Sequence, residues 1–212
     1  MEKLLKHLEP NRKTFEADPL GYSALAWHRW GLVQSIAGFP VDLNRPPTNE
    51  DLNSPVLWMT QAYAMADAAM NVLRNNPNFD HISANLSGIF DSQYCAVGLM
   101  LVAYSLEISL KAMLIINKGI AAYLSEEKKY RHHRLEKLAE FVPGLNAKDI
   151  ATLRALTHFS MWAGRYPDPG SGREKHSQEI FDIAEQNQIT ANDLFKLAAK
   201  IMGHIQYIVE EL

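Results

Sequence analysis

The run from Cys95 to Ile116, CAVGLMLVAYSLEISLKAMLII, constrains the fold more than any other part of the chain. It is apolar at nearly every position and long enough to cross a bilayer, yet Glu107 and Lys111 sit inside it. A charge at mid-membrane is costly, whereas Glu followed four residues later by Lys suits an ion pair on one helical face. The run therefore reads as a buried helix of a soluble protein rather than a membrane span. A helix apolar all round is normally the central member of a bundle, so residues from about 94 to 118 should be surrounded by the others. Asp91 or Ser92 can cap its start, and Gly119 is expected to end it in a left-handed conformation.

The rest of the pattern supplies the surrounding helices. Leu20 to Ile36 reads as one helix, followed by an irregular connection marked by Gly38, Pro40, Pro46 and Pro47. Residues 1–53 are thus expected to form a helical appendage with a Pro-rich connection, and 54–212 a helical bundle. Ser54-Pro55 supplies a cap and a first-turn proline for a helix ending at Arg74, before Asn75-Asn76-Pro77. A short helix is expected from Leu135 to Val142, and one capped by Asn146 should run to Ala163. RYPDPGSGR, Arg165 to Arg173, must be a loop. A last helix after Thr190 carries Leu194, Leu197, Ala198, Ile201, Ile205 and Ile208 on one stripe. Ile180 to Gln188 is ambiguous between helix and strand. With no internal repeat and no train of alternating strands, the fold class expected is all-α.

Among 212 residues, 21 Lys+Arg stand against 24 Asp+Glu, a formal net charge of −3. That balance argues against non-specific coating of nucleic acid, so any anion site must be built locally. The single cysteine, Cys95, excludes an internal disulfide and any Cys-rich zinc module. Together with an N-terminus lacking the pattern of a secretory signal, it leads to the expectation of a cytoplasmic protein with no membrane association.

Three constellations could carry chemistry. Glu107 and Lys111 could orient a basic residue from a neighbouring helix, or form an ordinary structural pair. Lys128 to Lys137, KKYRHHRLEK, carries a local charge of +4 with its histidines neutral, which a phosphate could use or which could be a solvated face. His133 and Arg134 lie there, next to the Leu135 helix. Arg154, His158 and Trp162 are spaced four apart and Arg165 follows three later, so all four share one stripe if the helix persists. Such a strip could offer arginine to a phosphate, histidine as acid or base, and Trp162 and Tyr166 for stacking on a base. Its structural alternative has Trp162 in the core, Arg165 tying down a loop carbonyl or Glu107, and His158 as a satisfied interior histidine. His176 and the WHRW at Trp27 to Trp30 are lesser candidates. No metal-ligand spacing is visible along the sequence, and no cofactor is implied.

With SLEISLKAMLI closing on Gly119, the short HHRLEKL and a later helix ending WAGRYP, the chain resembles the HEPN superfamily over roughly residues 91–212. The resemblance implies a small helical bundle, often dimeric, acting as a ribonuclease toxin, a phage-defence protein or an inactive nucleotide-binding companion of nucleotidyltransferases. Ribonuclease members resembling this fold carry an arginine and a histidine with four to six residues between them; the closest match here is Arg154 and His158, with only three between. His133-Arg134 stands where the family usually has His-Asp.

Three functions follow as expectations. The first is binding of a nucleotide or RNA phosphate through Arg165, Tyr166, His133, Arg134 and Trp162, with Glu107 and Lys111 orienting the network. The setting would be toxin–antitoxin or defence, the partner a cognate nucleotidyltransferase or antitoxin, and the assembly a homodimer. The second is a metal-independent ribonuclease, with His158 as acid/base and Arg154 stabilising charge at the phosphorus. The third is a purely structural interaction module whose methionines fill an adaptable core.

Overall fold

A computed structural model describes residues 8–210, leaving aside the side chains at 206, 207, 209 and 210. It is all-α, with no strand among the described residues. The chain divides into a unit ending at Leu57 and a second unit, Trp58–Leu212. The boundary thus falls a few residues beyond the expected one, inside a helix.

The first unit holds α1 (Arg12–Ala17), α2 (Pro19–Ser23), α3 (Ala26–Ile36) and α4 (Asn49–Leu52). Asn11 caps α1 and Asp18 caps α2, whose first residue is Pro19, so each short helix starts on a side-chain acceptor. The single helix expected from Leu20 to Ile36 is broken. At Ala24 the backbone N–H turns back to the Gly21 carbonyl at 3.1 Å, a tight closing turn, and α3 restarts at Ala26 with no side-chain cap. Thr48 and Asp51 form a reciprocal capping box on α4, with Arg45 clamping Asp51 at 2.6 Å.

In the second unit, α5 (Pro55–Arg74, whose first turn belongs to the preceding unit) leads to α6 (Ser87–Lys118), the central helix. Burial of Leu106, Leu110, Met113 and Ile115 on α6 places it at the centre of the core, against Leu197, Ile201 and Ile205 of α12 (Ala191–Glu210). Long and apolar enough to cross a membrane by composition, α6 is nonetheless mostly enclosed by protein, the burial of a core helix rather than a lipid-facing one. It begins at Ser87, earlier than Asp91 or Ser92, and Leu86 at its start makes no side-chain cap. Gly119 has the expected positive φ of 79°, but its ψ of 152° is extended, and the chain resumes at once in α7 (Ile120–Ser125).

The charged connection forms α8 (Glu127–Tyr130), and the next helix is only one turn, α9 (Leu135–Leu138), which buries Leu135 and Leu138. The expected continuation to Val142 is a series of turns, with Val142 N–H on the Ala139 carbonyl at 2.9 Å. Capped by Asn146 and Asp149, α10 (Ala147–His158) does not continue as an α-helix to Ala163. Its last segment, Phe159–Ala163, is a π-helical turn. The ambiguous stretch is helical, within α11 (Lys175–Asn187), closed by Gln188 in the left-handed region. Leu194, Leu197, Ile201, Ile205 and Ile208 of α12 are buried, as their spacing predicts.

Where the π turn ends, Gly164 lets the chain lie directly on α6. A Cβ at this position would stand 2.3 Å from the Met100 Cβ and 2.9 Å from the Ala96 carbonyl oxygen. Backbone cannot yield as a flexible side chain can, so Gly164→Ala should destabilise by about 1–3 kcal/mol. Gly203 on α12 has open space around it, and Gly203→Ala should stabilise by about 0.5–1 kcal/mol through helix propensity. Urea denaturation of the two variants checks the contrast; equal effects would show that Gly164 is not a packing contact.

Candidate functional site

The expected Arg/His strip is split in two by the π turn. A π-helix is wider than an α-helix, so side chains beyond His158 do not keep the four-residue register. One group of polar residues gathers on α6, and a second gathers around a cavity between the π turn and the start of α11.

The first group is organised by Glu107, buried on α6 with its side chain only 7% exposed. Burying a carboxylate without partners is prohibitive, and here each oxygen has one. Lys111, one turn on, donates to Oε1 at 2.8 Å, and His133 faces Oε2 through Nδ1 at 2.8 Å. Since a carboxylate only accepts, the proton of that contact sits on Nδ1. Tyr104, one turn before Glu107, sets its ring edge-on to His133 at 6.4 Å between centroids. Its hydroxyl donates to the Ser160 carbonyl of the π turn at 3.0 Å, and Arg165 donates to the same carbonyl. The Arg165 guanidinium lies over the Tyr104 ring, 5.5 Å from its centroid. Burial raises the Tyr104 hydroxyl above the ordinary tyrosine range, with the Arg165 charge opposing.

Arg165 therefore closes the π turn onto α6 and ties down a loop carbonyl. Beside it, Thr157 accepts from the Leu135 N–H at 3.1 Å and donates to the Leu153 carbonyl at 3.0 Å, joining α9 to α10. The basic segment is largely neutralised by its neighbours. Arg131 pairs with Glu127, Arg134 with Glu136 and Lys137 with Glu140. His133 and Arg134 are consequently engaged in internal contacts. Burial and the Lys111 charge hold His132 below the ordinary histidine range, and its Nδ1 accepts from the Arg134 N–H at 3.2 Å.

The second group lines an open cavity of about 430 Å³, walled by His158, Trp162, Tyr166, Arg173 and His176 with the Pro167–Gly170 turn. Two aromatic rings, two imidazoles and a guanidinium thus face one space. Trp162 Nε1 is buried and has no hydrogen-bond partner among the described residues. Arg154, one turn before His158, is exposed. Neither Arg154 nor Arg173 makes an ion pair with another described residue. On α11 the i, i+3 pair His176 and Glu179 is in contact at 2.7 Å, and His158 Nε2 comes within 3.5 Å of the same Glu179 oxygen. Burial pushes the His158 imidazole below the ordinary histidine range, with Glu179 opposing, and the His176 hydrogen bond lowers Glu179.

Of the residues named from the sequence, His158, Trp162, Tyr166 and His176 come together at the cavity. Glu107, Lys111, His133 and Arg165 come together on α6, and Arg154 and Arg134 belong to neither set. Arg173 and Glu179 were not among the candidates. A signal for them existed: Arg173 ends the Pro/Gly loop, and His176 and Glu179 carry helical i, i+3 spacing. Comparison of the chain with family models, with curated proteins and with solved structures finds no match.

The Glu107 contacts generate a stability prediction. Glu107→Gln leaves the Lys111 ammonium without its partner in a nearly enclosed site and should cost about 3 kcal/mol. Adding Lys111→Met to that variant should recover part of the loss, because no lone charge is then left buried. Urea denaturation measures both; a double variant weaker than the single by the full cost of Lys111→Met alone would show the pair to be uncoupled.

Proposed function

We propose that the protein binds the phosphate of a nucleotide or RNA at the cavity between the π turn and α11. The observation that carries this reading is the open cavity itself, whose walls bring Trp162, Tyr166 and Arg173 to one space. A cavity of about 430 Å³ has room for a base and its phosphate. Trp162 and Tyr166 offer faces for stacking, and Arg173 offers a fork of donors for phosphate oxygens. Arg154 adds positive charge one helical turn away.

The resemblance to the HEPN superfamily supports the same reading. It brings with it a homodimer in a toxin–antitoxin or defence setting, with a nucleotidyltransferase or antitoxin as partner, and the single cysteine adds a reducing, cytoplasmic location. Glu107 and Lys111 act at one remove in this account, by holding the π turn through Tyr104.

Titration with a fluorescein-labelled single-stranded RNA and with a mononucleotide, in EDTA, tests the reading. Saturable binding is expected, weakening as salt rises, and roughly tenfold weaker in Arg173→Ala and in Trp162→Phe. Binding unchanged in both folded variants would remove the cavity from the account. EDTA-resistant cleavage of the RNA, lost in His158→Ala, would replace binding by the ribonuclease alternative with Arg154 and His158 as its residues.

A further inference from the structure

Three side chains at the edge of the same cavity form a set that phosphate binding does not use. His176 Nδ1 lies 2.7 Å from Glu179 Oε2, His158 Nε2 lies 3.5 Å from that oxygen, and one ligand atom from each residue falls within 4.8 Å of the others. The two imidazole rings are 5.5 Å apart between centroids. The sequence shows no such set because His158 ends α10 while His176 and Glu179 open α11, with the whole Pro/Gly loop between them. The packing of α10 against α11 brings them together.

We propose that His158, His176 and Glu179 are the ligands of a divalent transition-metal ion, zinc being the best match. Two imidazoles and a carboxylate suit zinc and its first-row neighbours, whereas calcium and magnesium need oxygen-rich sites. Bonds of about 2.0–2.1 Å in tetrahedral geometry put ligand atoms roughly 3.3 Å apart. The separations of 2.7 and 3.5 Å bracket that value, so small side-chain rotations admit the ion. Both α11 ligands come from one face of a regular helix, and His158 is held where α10 passes into the π turn.

Three protein ligands leave a fourth position, and the cavity that His158 and His176 line is where it opens. An anion or water taken there would lie in the same cavity as Arg173. The site does not depend on the phosphate reading, because its ligand set is complete without Trp162, Arg154 or Arg173.

The test uses tag-free full-length protein, stripped of metal by chelation and then titrated with Zn²⁺ alone by calorimetry and with Co²⁺ alone by visible absorption. One ion per chain is expected, with the cobalt bands of a four-coordinate nitrogen and oxygen site. Affinity should fall roughly tenfold or more in His176→Gln and in Glu179→Gln, and stay unchanged in His132→Gln. His176 and Glu179 are about half exposed and outside the apolar core, so these variants are expected to keep the fold, which circular dichroism verifies. Absence of stoichiometric binding, or full affinity in the His176→Gln/Glu179→Gln double variant, would overturn the assignment. Zinc binding that persists where RNA binding in EDTA is absent would overturn only the phosphate reading, and the converse result only this one.

Discussion

A carboxylate buried in the middle of an apolar helix is the constraint around which the second unit is arranged. Glu107 cannot lie there unpaired, and its two oxygens recruit Lys111 from the next turn of α6 and His133 from the segment before α9. Tyr104, on the same helix, reaches past His133 to the Ser160 carbonyl, where it meets Arg165. Two polar contacts thus leave the core helix, Glu107 to His133 and Tyr104 to the π turn, and they are joined where the Tyr104 and His133 rings meet edge-on. Together they fix how the chain leaves α10, and so where Trp162 and Tyr166 stand at the cavity.

The π turn separates what a uniform helix would have aligned. An α-helix continued to Ala163 would lay Arg154, His158, Trp162 and Arg165 on one face, mixing the charges needed for structure with those offered to a ligand. In the observed backbone Arg165 turns inward to α6, while His158 and Trp162 face the cavity with Arg173 and His176. The division explains why the basic character of the chain is poorly correlated with its candidate site. Arg131, Arg134 and Lys137 are paired with nearby acids, and Arg154 and Arg173 are left outside any ion pair with a described residue.

Much of the fold was legible because it rests on periodicity. The apolar α6 with its embedded Glu and Lys, the Asn146 cap, the stripe from Leu194 to Ile208 and the all-α class follow from helical spacing alone. Local chemistry was less legible where two signals compete. Leu20 to Ile36 has the composition of one helix, yet closes at Ala24 through a tight backbone turn that composition does not register. The start of α6 lies earlier than expected, with no side-chain cap to mark it, and α9 gives way to turns after Leu138. At the site, Glu107 with Lys111 could be read from four-residue spacing, but its contact with His133 spans separate elements. The His158, His176 and Glu179 set is a product of α10–α11 packing, with only the His176–Glu179 spacing visible beforehand.

The central claim is that Glu107 holds the π turn through His133, Tyr104 and Ser160. Amide hydrogen exchange of Glu107→Gln, under conditions where the core stays folded, tests it most directly. The account predicts faster exchange confined to residues 131–138 and 157–166, with the amides of α12 and the middle of α6 as protected as in the parent protein. Unchanged exchange in the π turn, or loss of protection spread evenly over the bundle, would contradict it.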